Sequence, residues 1–353
     1  MTMTRRDVVG RLAALAAFPV VASCGVDRLT RPATAARRLR VNTVAVASPP
    51  IPLIVASDPH FKVLTNTAAY RVADRVKARL AADPLAWAIY PGDLVENGTA
   101  QEFGDYCATA LDPILDRVLP CIGNHDNKDA ANRKAESYFA YFGTRAGQPG
   151  KGYYLKTFGD TWAGFFLNSQ WGLAEQAAWL AAELPNYADR HVFGVLHQPY
   201  MSAPCNHNGT RMTMNWPGIN GMGQLWVQLE QHGAEFLISG HCHHWERYPR
   251  MLRDSSNPFT GLVDDRGVRQ FVCGTGGTTT MPTWTPAAPH PHIEKYVQAR
   301  GPVEFVLHQN HYEWTLTDFS SGATLDSGTQ VCRKTVIPPS EEPPPEDPPA
   351  TCS

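Results

Sequence analysis

Leu119-Pro-Cys-Ile-Gly-Asn-His-Asp126 is a short apolar run that ends in glycine and then presents an amide, an imidazole and a carboxylate at consecutive positions. Gly, Asn and Asp are common turn residues for backbone reasons, so this stretch alone reads equally well as an ordinary turn. Four other stretches share its design. They are Leu53-Ile-Val-Ala-Ser-Asp58-Pro-His60, Trp87-Ala-Ile-Tyr-Pro-Gly-Asp93, Val192-Phe-Gly-Val-Leu-His197 and Phe236-Leu-Ile-Ser-Gly-His241-Cys-His243. Five apolar strands that each end in metal-type donors predict one shared site.

The segments between these strands set the fold class. Ala69, Val72, Ala73, Val76 and Leu80 recur at helical spacing within 67–82, and 100–118 reads as helical with a break near Pro113. Strand, helix, strand, helix in that order predicts a parallel, mostly buried sheet, with ligands gathered beyond the carboxyl ends of its strands. Asp58, Asp93 and Asn124 fall at such ends. Further on, 130–142, 173–184 and 224–232 read as helices. Aromatic strands are expected at 152–157 and 162–168, and hairpins from Asp265 onward. Residues 51–336 are expected to form one domain. Residues 337–353 are rich in proline and acidic residues and read as a disordered tail.

Taken together, Asp58, His60, Asp93, Asn124, His197, His241 and His243 are too many oxygen and nitrogen donors for one tetrahedral zinc. With a shared carboxylate they suit two first-row ions. Such a pair, on the order of 3.5–4 Å apart, holds a bridging hydroxide and clamps a phosphoryl group for in-line attack. The i, i+2 spacing of Asp58/His60 and His241/His243 predicts an extended backbone that sends each pair the same way. Singly, Asp58, Asp93 and Asn124 read as helix N-caps as readily as ligands; jointly with three histidines they read as a metal site.

The order Asp58-x-His60, Gly92-Asp93, Gly123-Asn124-His125-Asp126, His197, Gly240-His241-x-His243 resembles the signature of the calcineurin-like metallophosphoesterases. The resemblance implies an α/β, four-layered α/β/β/α sandwich of two mixed sheets flanked by helices. It implies hydrolysis of phosphate mono- or diesters at a dinuclear centre of divalent or mixed-valence Fe, Mn or Zn. One ion would take Asp58, His60 and His243, the other Asn124, His197 and His241, with Asp93 between them. His125, held by Asp126, would be the catalytic general acid or a stabiliser of transition-state charge. The stretch 240–247, with Tyr312-Glu-Trp314 and Asp326-Ser-Gly328, resembles secreted purple acid phosphatase relatives. Those enzymes, however, carry a metal-binding tyrosine where this chain has Glu96, and usually glycine where it has His60. Asp-x-His with Gly-Asp-x-x-x-Asn97-Gly98 resembles class III cyclic nucleotide phosphodiesterases instead.

Other features bound the alternatives. The chain has 353 residues, 43% of them hydrophobic, an ordinary globular composition able to bury a large core. A net charge of −2 offers no footprint for nucleic acid, which disfavours a nuclease of the same fold. A small phosphoester is the expected partner; a non-catalytic binding scaffold that kept the fold is the alternative from another class. Residues 1–24 resemble an export signal, with Arg5-Arg6 before a short apolar run and Val21-Ala22-Ser23-Cys24 similar to a lipobox. An exported, periplasmic or cell-envelope protein is expected, touching a membrane only through a lipid on Cys24, with 25–50 as a tether. None of the eight cysteines has C-x-x-C spacing, and Cys242 reads as an apolar filler. Gly274-Thr-Gly-Gly277 reads as a tight turn, and His207, Arg211 and Trp216 as surface or substrate-contacting loop residues. The remaining histidines, His308 and His311 among them, lack ligand spacing with a strand end.

Overall fold

The computed structural model describes residues 48–62, 67–128, 134–202, 222–253, 261–278 and 291–336. The expected export signal, the tether apart from residues 48–50, the proline-rich tail and the loop holding His207, Arg211 and Trp216 lie outside these residues.

Two mixed sheets make the core. In the first, β1 (Ile51–Val55), β2 (Trp87–Tyr90) and β3 (Val118–Pro120) run parallel. The second is built on β4 (Tyr154–Phe158), β5 (Trp162–Phe166), β6 (His191–Val195), β7 (Phe236–Ser239), β8 (Trp245–Leu252), β9 (Leu262–Val263), β10 (Val268–Cys273) and β11 (Lys295–Val297). The chain then returns to the first sheet with β12 (Val303–Leu307), β13 (His311–Thr317) and β14 (Thr324–Val331), giving the order β14-β13-β12-β1-β2-β3. Within the second sheet β5, β6, β7 and β10 are parallel.

Helices cover the two outer faces. α1 (Thr67–Ala82), α2 (Ala108–Leu111) and α3 (Glu136–Phe142) pack on the first sheet, where Val72, Val76 and Phe103 meet Ile54, Ala88 and Tyr90. α4 (Leu173–Glu183) and α5 (Met222–Gln231) pack on the second, where Leu180, Leu225 and Trp226 meet Phe165, Val192 and Leu237. A third layer lies between the sheets. There Val55, Ile89 and Phe305 of one face Phe193, Phe236 and Phe271 of the other. These three apolar layers require four layers of backbone, so the α/β/β/α sandwich expected from the motifs is the observed fold. α1 ends at Ala82 because Asp83 precedes Pro84, a position that disfavours helical backbone.

Asp326, on the edge strand β14, joins the sheets. It accepts hydrogen bonds from Trp245 Nε1 and Arg247 Nε on β8, both at 3.0 Å. Asp326→Ala leaves a guanidinium and an indole N–H without this acceptor. Hydrogen bonds to charged groups contribute about 1.5–3 kcal/mol, so a loss of about 2 kcal/mol is expected in urea unfolding of the variant.

Candidate metal centre

The five strand ends converge as the sequence predicts, but the local backbone differs from the extended form expected. Among the described residues five non-glycine positions have φ in the left-handed region, and four of them are site residues: Asp58 at 59°, His60 at 47°, Asp93 at 52° and His241 at 67°. Such conformations cost of order 1–3 kcal/mol each and persist where the surroundings enforce them. The enforcement is visible. Asp58, His60 and Phe61 donate their N–H groups to Gly92, Asp93 and Leu94, so the loop after β1 is hydrogen-bonded to the loop after β2. Cys242 N–H bonds Gly240 oxygen and His244 N–H bonds Cys242 oxygen, two successive tight turns in place of a strand. The turn thus sends His241 to one group of donors and His243 to another.

The glycines before the ligands serve close approach. A Cβ on Gly240 would lie 1.8 Å from Ser57 Oγ and 2.5 Å from Asp58 Oδ2, and one on Gly123 would lie 2.1 Å from Asp93 Oδ1. Neither position has room for alanine. Gly276 N–H bonds the Ser57 carbonyl at 2.7 Å, so Gly274-Thr-Gly-Gly277 is a turn that braces the ligand loop, as its sequence suggests.

Three overlapping donor groups result. Asp58, His60 and His243 form the first, Asp93, His197 and His241 the second, and His60, Asp93 and His125 a third at their junction, each with its ligand atoms within 4.8 Å of one another. Asn124 Oδ1 joins the second, 3.1 Å from His197 Nε2. Asp93 Oδ2 lies 3.3 Å from His197 Nε2 and 3.7 Å from His60 Nε2, at the junction. The structure therefore brings all seven predicted donors together.

The donor chemistry fits cations. His197 Nδ1 faces the Pro91 carbonyl at 3.2 Å, which accepts its proton and leaves the Nε2 lone pair free. That lone pair faces Asn124 Oδ1, Asp93 Oδ2 and, at 3.2 Å, His241 Nδ1. The Asn124 and Asp93 oxygens, this close to a lone pair, repel it unless positive charge lies among them. The same arrangement recurs at His60, where Nδ1 pairs with Glu96 Oε2 at 3.2 Å and the buried Nε2 has no hydrogen-bond partner. Burial lowers the proton affinity of His197, yet Asp93, Asp58 and Asp126 outweigh it and raise its pKa to about 9. Against its own burial, Asp93 is held well below the usual carboxylate range by His197, His60 and His125. A metal would take the place of these protons.

Two expectations need correction. Asp126 does not hold the His125 ring: its Oδ1 accepts Leu94 and Val95 N–H at 2.8 and 3.1 Å, and its Oδ2 accepts Gly123 N–H at 2.9 Å. It is completely buried and fixes the two ligand-bearing loops against each other. The His125 ring is held by the Glu96 carbonyl, 2.8 Å from Nδ1, with the Lys128 ammonium 2.6 Å from the same nitrogen. The second correction concerns Cys242, which is disulfide-bonded rather than a simple apolar filler. The described cysteines 107, 121, 273 and 332 are free, so its partner lies outside the described residues.

Glu96 is the residue whose role the sequence does not reveal. The structure places its carboxylate on His60 Nδ1, with Lys62 Nζ at 3.3 Å from the same oxygen. Carboxylates in this position fix the tautomer of a ligand histidine, and their loss costs about 10–100-fold in metal affinity or activity. Glu96→Ala is expected to weaken metal binding by that factor in a chelator competition, with partial rescue by Glu96→Gln. The His60 hydrogen bond is the main reason the Glu96 pKa is lowered to about 2, with burial opposing and His125 and Lys62 assisting. Its depressed pKa means that the pairing contributes fully above the ordinary carboxylate value and is lost as pH falls from there towards 2. Asn97, by contrast, is a turn residue, its N–H and Nδ2 both bonded to Glu102 at 2.8 Å.

Fold and site together define a metal-dependent phosphoesterase. The profile of the calcineurin-like phosphoesterase family matches residues 51–336, and the chain belongs to that family. No curated protein matches the chain by sequence. Among solved structures it is similar to the yellow lupin purple acid phosphatase PPD1, at 16% identity and a TM-score of 0.65, over 80% of this chain and 54% of the lupin protein. It is also similar to GAP50, the anchor in the inner membrane complex of Plasmodium, at 13% identity and TM-score 0.57, over 81% and 90% of the two chains. PhoD is similar at 12% identity and TM-score 0.53, over 82% of this chain and 71% of PhoD. At these identities the likenesses establish the fold alone.

Proposed function

We propose that the chain is a dinuclear-metal phosphoester hydrolase, with Asp58, His60 and His243 holding one ion, Asn124, His197 and His241 the other, and Asp93 shared between them. One observation supports this most directly: the His197 lone pair, aimed at the Asn124 and Asp93 oxygens within 3.3 Å and beside the His241 ring. Iron, manganese and zinc all suit such nitrogen and carboxylate donors. When bound, the ions supply an activated oxygen nucleophile and Lewis-acid stabilisation of the phosphoryl oxygens.

The protein's own groups do the remainder. Glu96 and the Pro91 carbonyl orient His60 and His197 so that their lone pairs face inward. His125, its side chain 17% exposed at the edge of the donor groups, holds Nδ1 against the Glu96 carbonyl and Nε2 4.0 Å from Asp93. Nε2 is thereby placed to give a proton to the leaving oxygen. The net charge of the chain favours a small phosphoester over nucleic acid. Export, through the segment before Cys24, accords with a disulfide at Cys242.

The fold does not separate an enzyme from a binding scaffold, since the Plasmodium anchor shares it. The retained donors favour the enzyme. After loading with manganese or iron, the purified chain is expected to hydrolyse p-nitrophenyl phosphate or its bis ester, and a chelator to remove the activity. A loaded chain that cleaves neither supports the scaffold.

A further inference from the structure

A second place in the molecule gathers ligand-type side chains, at the end of the first sheet away from the metal centre. Leu307 pairs with Ile51 at the start of β1, whereas Asp58 follows its end. β12 and β13 are joined there by the two-residue turn Gln309-Asn310, closed by a 3.0 Å hydrogen bond from His308 N–H to His311 oxygen. Residues flanking such a turn are directly opposed and share a face, and His311 and Glu313 share that face through the strand's period of two. Leu307, Tyr312 and Trp314 take the other face, in the core between the sheets. The hairpin therefore presents two imidazoles and a carboxylate outward together. Sequence spacing relative to strand ends misses this set, because the turn rather than a strand terminus assembles it.

We propose that His308, His311 and Glu313 form a separate mononuclear site for a transition-metal ion of the Zn2+ or Cu2+ type. Glu313 Oε1 lies 3.7 Å from Nε2 of both histidines, and one ligand atom from each of the three residues falls within a 4.8 Å group. His308 Nε2 is buried and has no hydrogen-bond partner. The two rings stack 4.0 Å apart and 9° from parallel, an arrangement that two imidazolium cations would oppose by mutual repulsion. Neutral imidazole suits Zn, Cu and Ni, and three protein ligands leave a position open to water. The lone pairs of stacked, nearly parallel rings do not converge, so both rings must swing out of the stack about their side-chain torsions to reach one ion at about 2.0–2.1 Å.

A neighbouring trio shows why this one is selected. His191, Glu235 and Cys332 also bring ligand atoms within 4.8 Å of one another and are buried. There Arg250 Nη2 lies 2.5 Å and Arg333 Nε 3.7 Å from Glu235 Oε2, and the Arg333 backbone N–H donates to Oε1 at 2.9 Å. The carboxylate is already neutralised, and two guanidiniums would face any added cation. Glu313 has no arginine or lysine ion pair among the described residues, and its ion pairs are with His308 and His311.

The test uses the whole chain with its main centre loaded with zinc, which is silent in electron paramagnetic resonance. Titration with up to one equivalent of Cu2+ at neutral pH is expected to fill one further site per chain without releasing zinc, with a spectrum showing two nitrogen ligands. His308→Asn and His311→Asn, both half-buried on the hairpin, are expected to lose one nitrogen and to weaken binding by at least the ~10–100-fold seen when a mere supporting partner of a metal ligand is removed. Glu313→Gln is expected to keep two nitrogens but bind more weakly. The copper readout involves no hydrolysis and so does not depend on the main centre's role, and all three variants should keep the wild-type rate on phosphoesters. Copper binding that is absent from the wild type, or unchanged in stoichiometry and spectrum in the variants, would overturn the proposal.

Discussion

Asp93→Asn is expected to lower phosphoester hydrolysis by about 10³-fold, the equivalent of several kcal/mol of charge stabilisation at tenfold per 1.36 kcal/mol. The two carboxylate oxygens have distinct partners. Oδ1 accepts the His125 backbone N–H at 2.7 Å, a bond an amide oxygen would retain. Oδ2 faces His197 at 3.3 Å and His60 at 3.7 Å. With the amide oxygen kept by His125, the NH2 group falls at the Oδ2 position and points protons at both imidazoles. They then accept hydrogen bonds from the amide, and the bridge between the donor groups is lost. Metal analysis of the purified variant should show fewer than two ions per chain. Full metal content with full activity would remove Asp93 from the account.

His125→Gln should separate catalysis from metal binding. The His125 ring lies within ligand range of His60 and Asp93 but is assigned to neither ion, and it is the His125 backbone N–H that hydrogen-bonds Asp93. The variant should therefore keep both ions. Loss of a positioned proton donor costs about 10²–10⁴-fold in rate. Burial lowers the His125 pKa below the ordinary imidazole value of 6.5, assisted by His60 and Lys128 and opposed by Asp93. The catalytically useful form is protonated, so wild-type activity should fall as pH rises through a midpoint below 6.5. In the variant that limb should vanish, a change that a purely structural role would not produce.

Much of this architecture is legible because chemistry and backbone period coincide. Buried strands such as Phe236–Ser239 are continuous apolar runs, and each of the five with ligands breaks at glycine or at a polar donor. The helical face of α1 is read from Ala69, Val72, Val76 and Leu80, all buried. What is not legible has physical causes. β8 carries four charged or polar residues and Pro249, and is tolerated only because its pairing with β10 shifts register beside that proline. The left-handed backbone at Asp58, His60, Asp93 and His241 is imposed by tertiary hydrogen bonds between loops, which local propensity does not encode. Glu96 and Asp126 reveal their roles only when those loops are in contact.

The most direct test is anomalous diffraction from crystals of the manganese-loaded protein. Two peaks are expected on the order of 3.5–4 Å apart, one enclosed by Asp58, His60 and His243, the other by Asn124, His197 and His241, with Asp93 touching both. A single peak, or a pair bound elsewhere, would contradict the dinuclear centre.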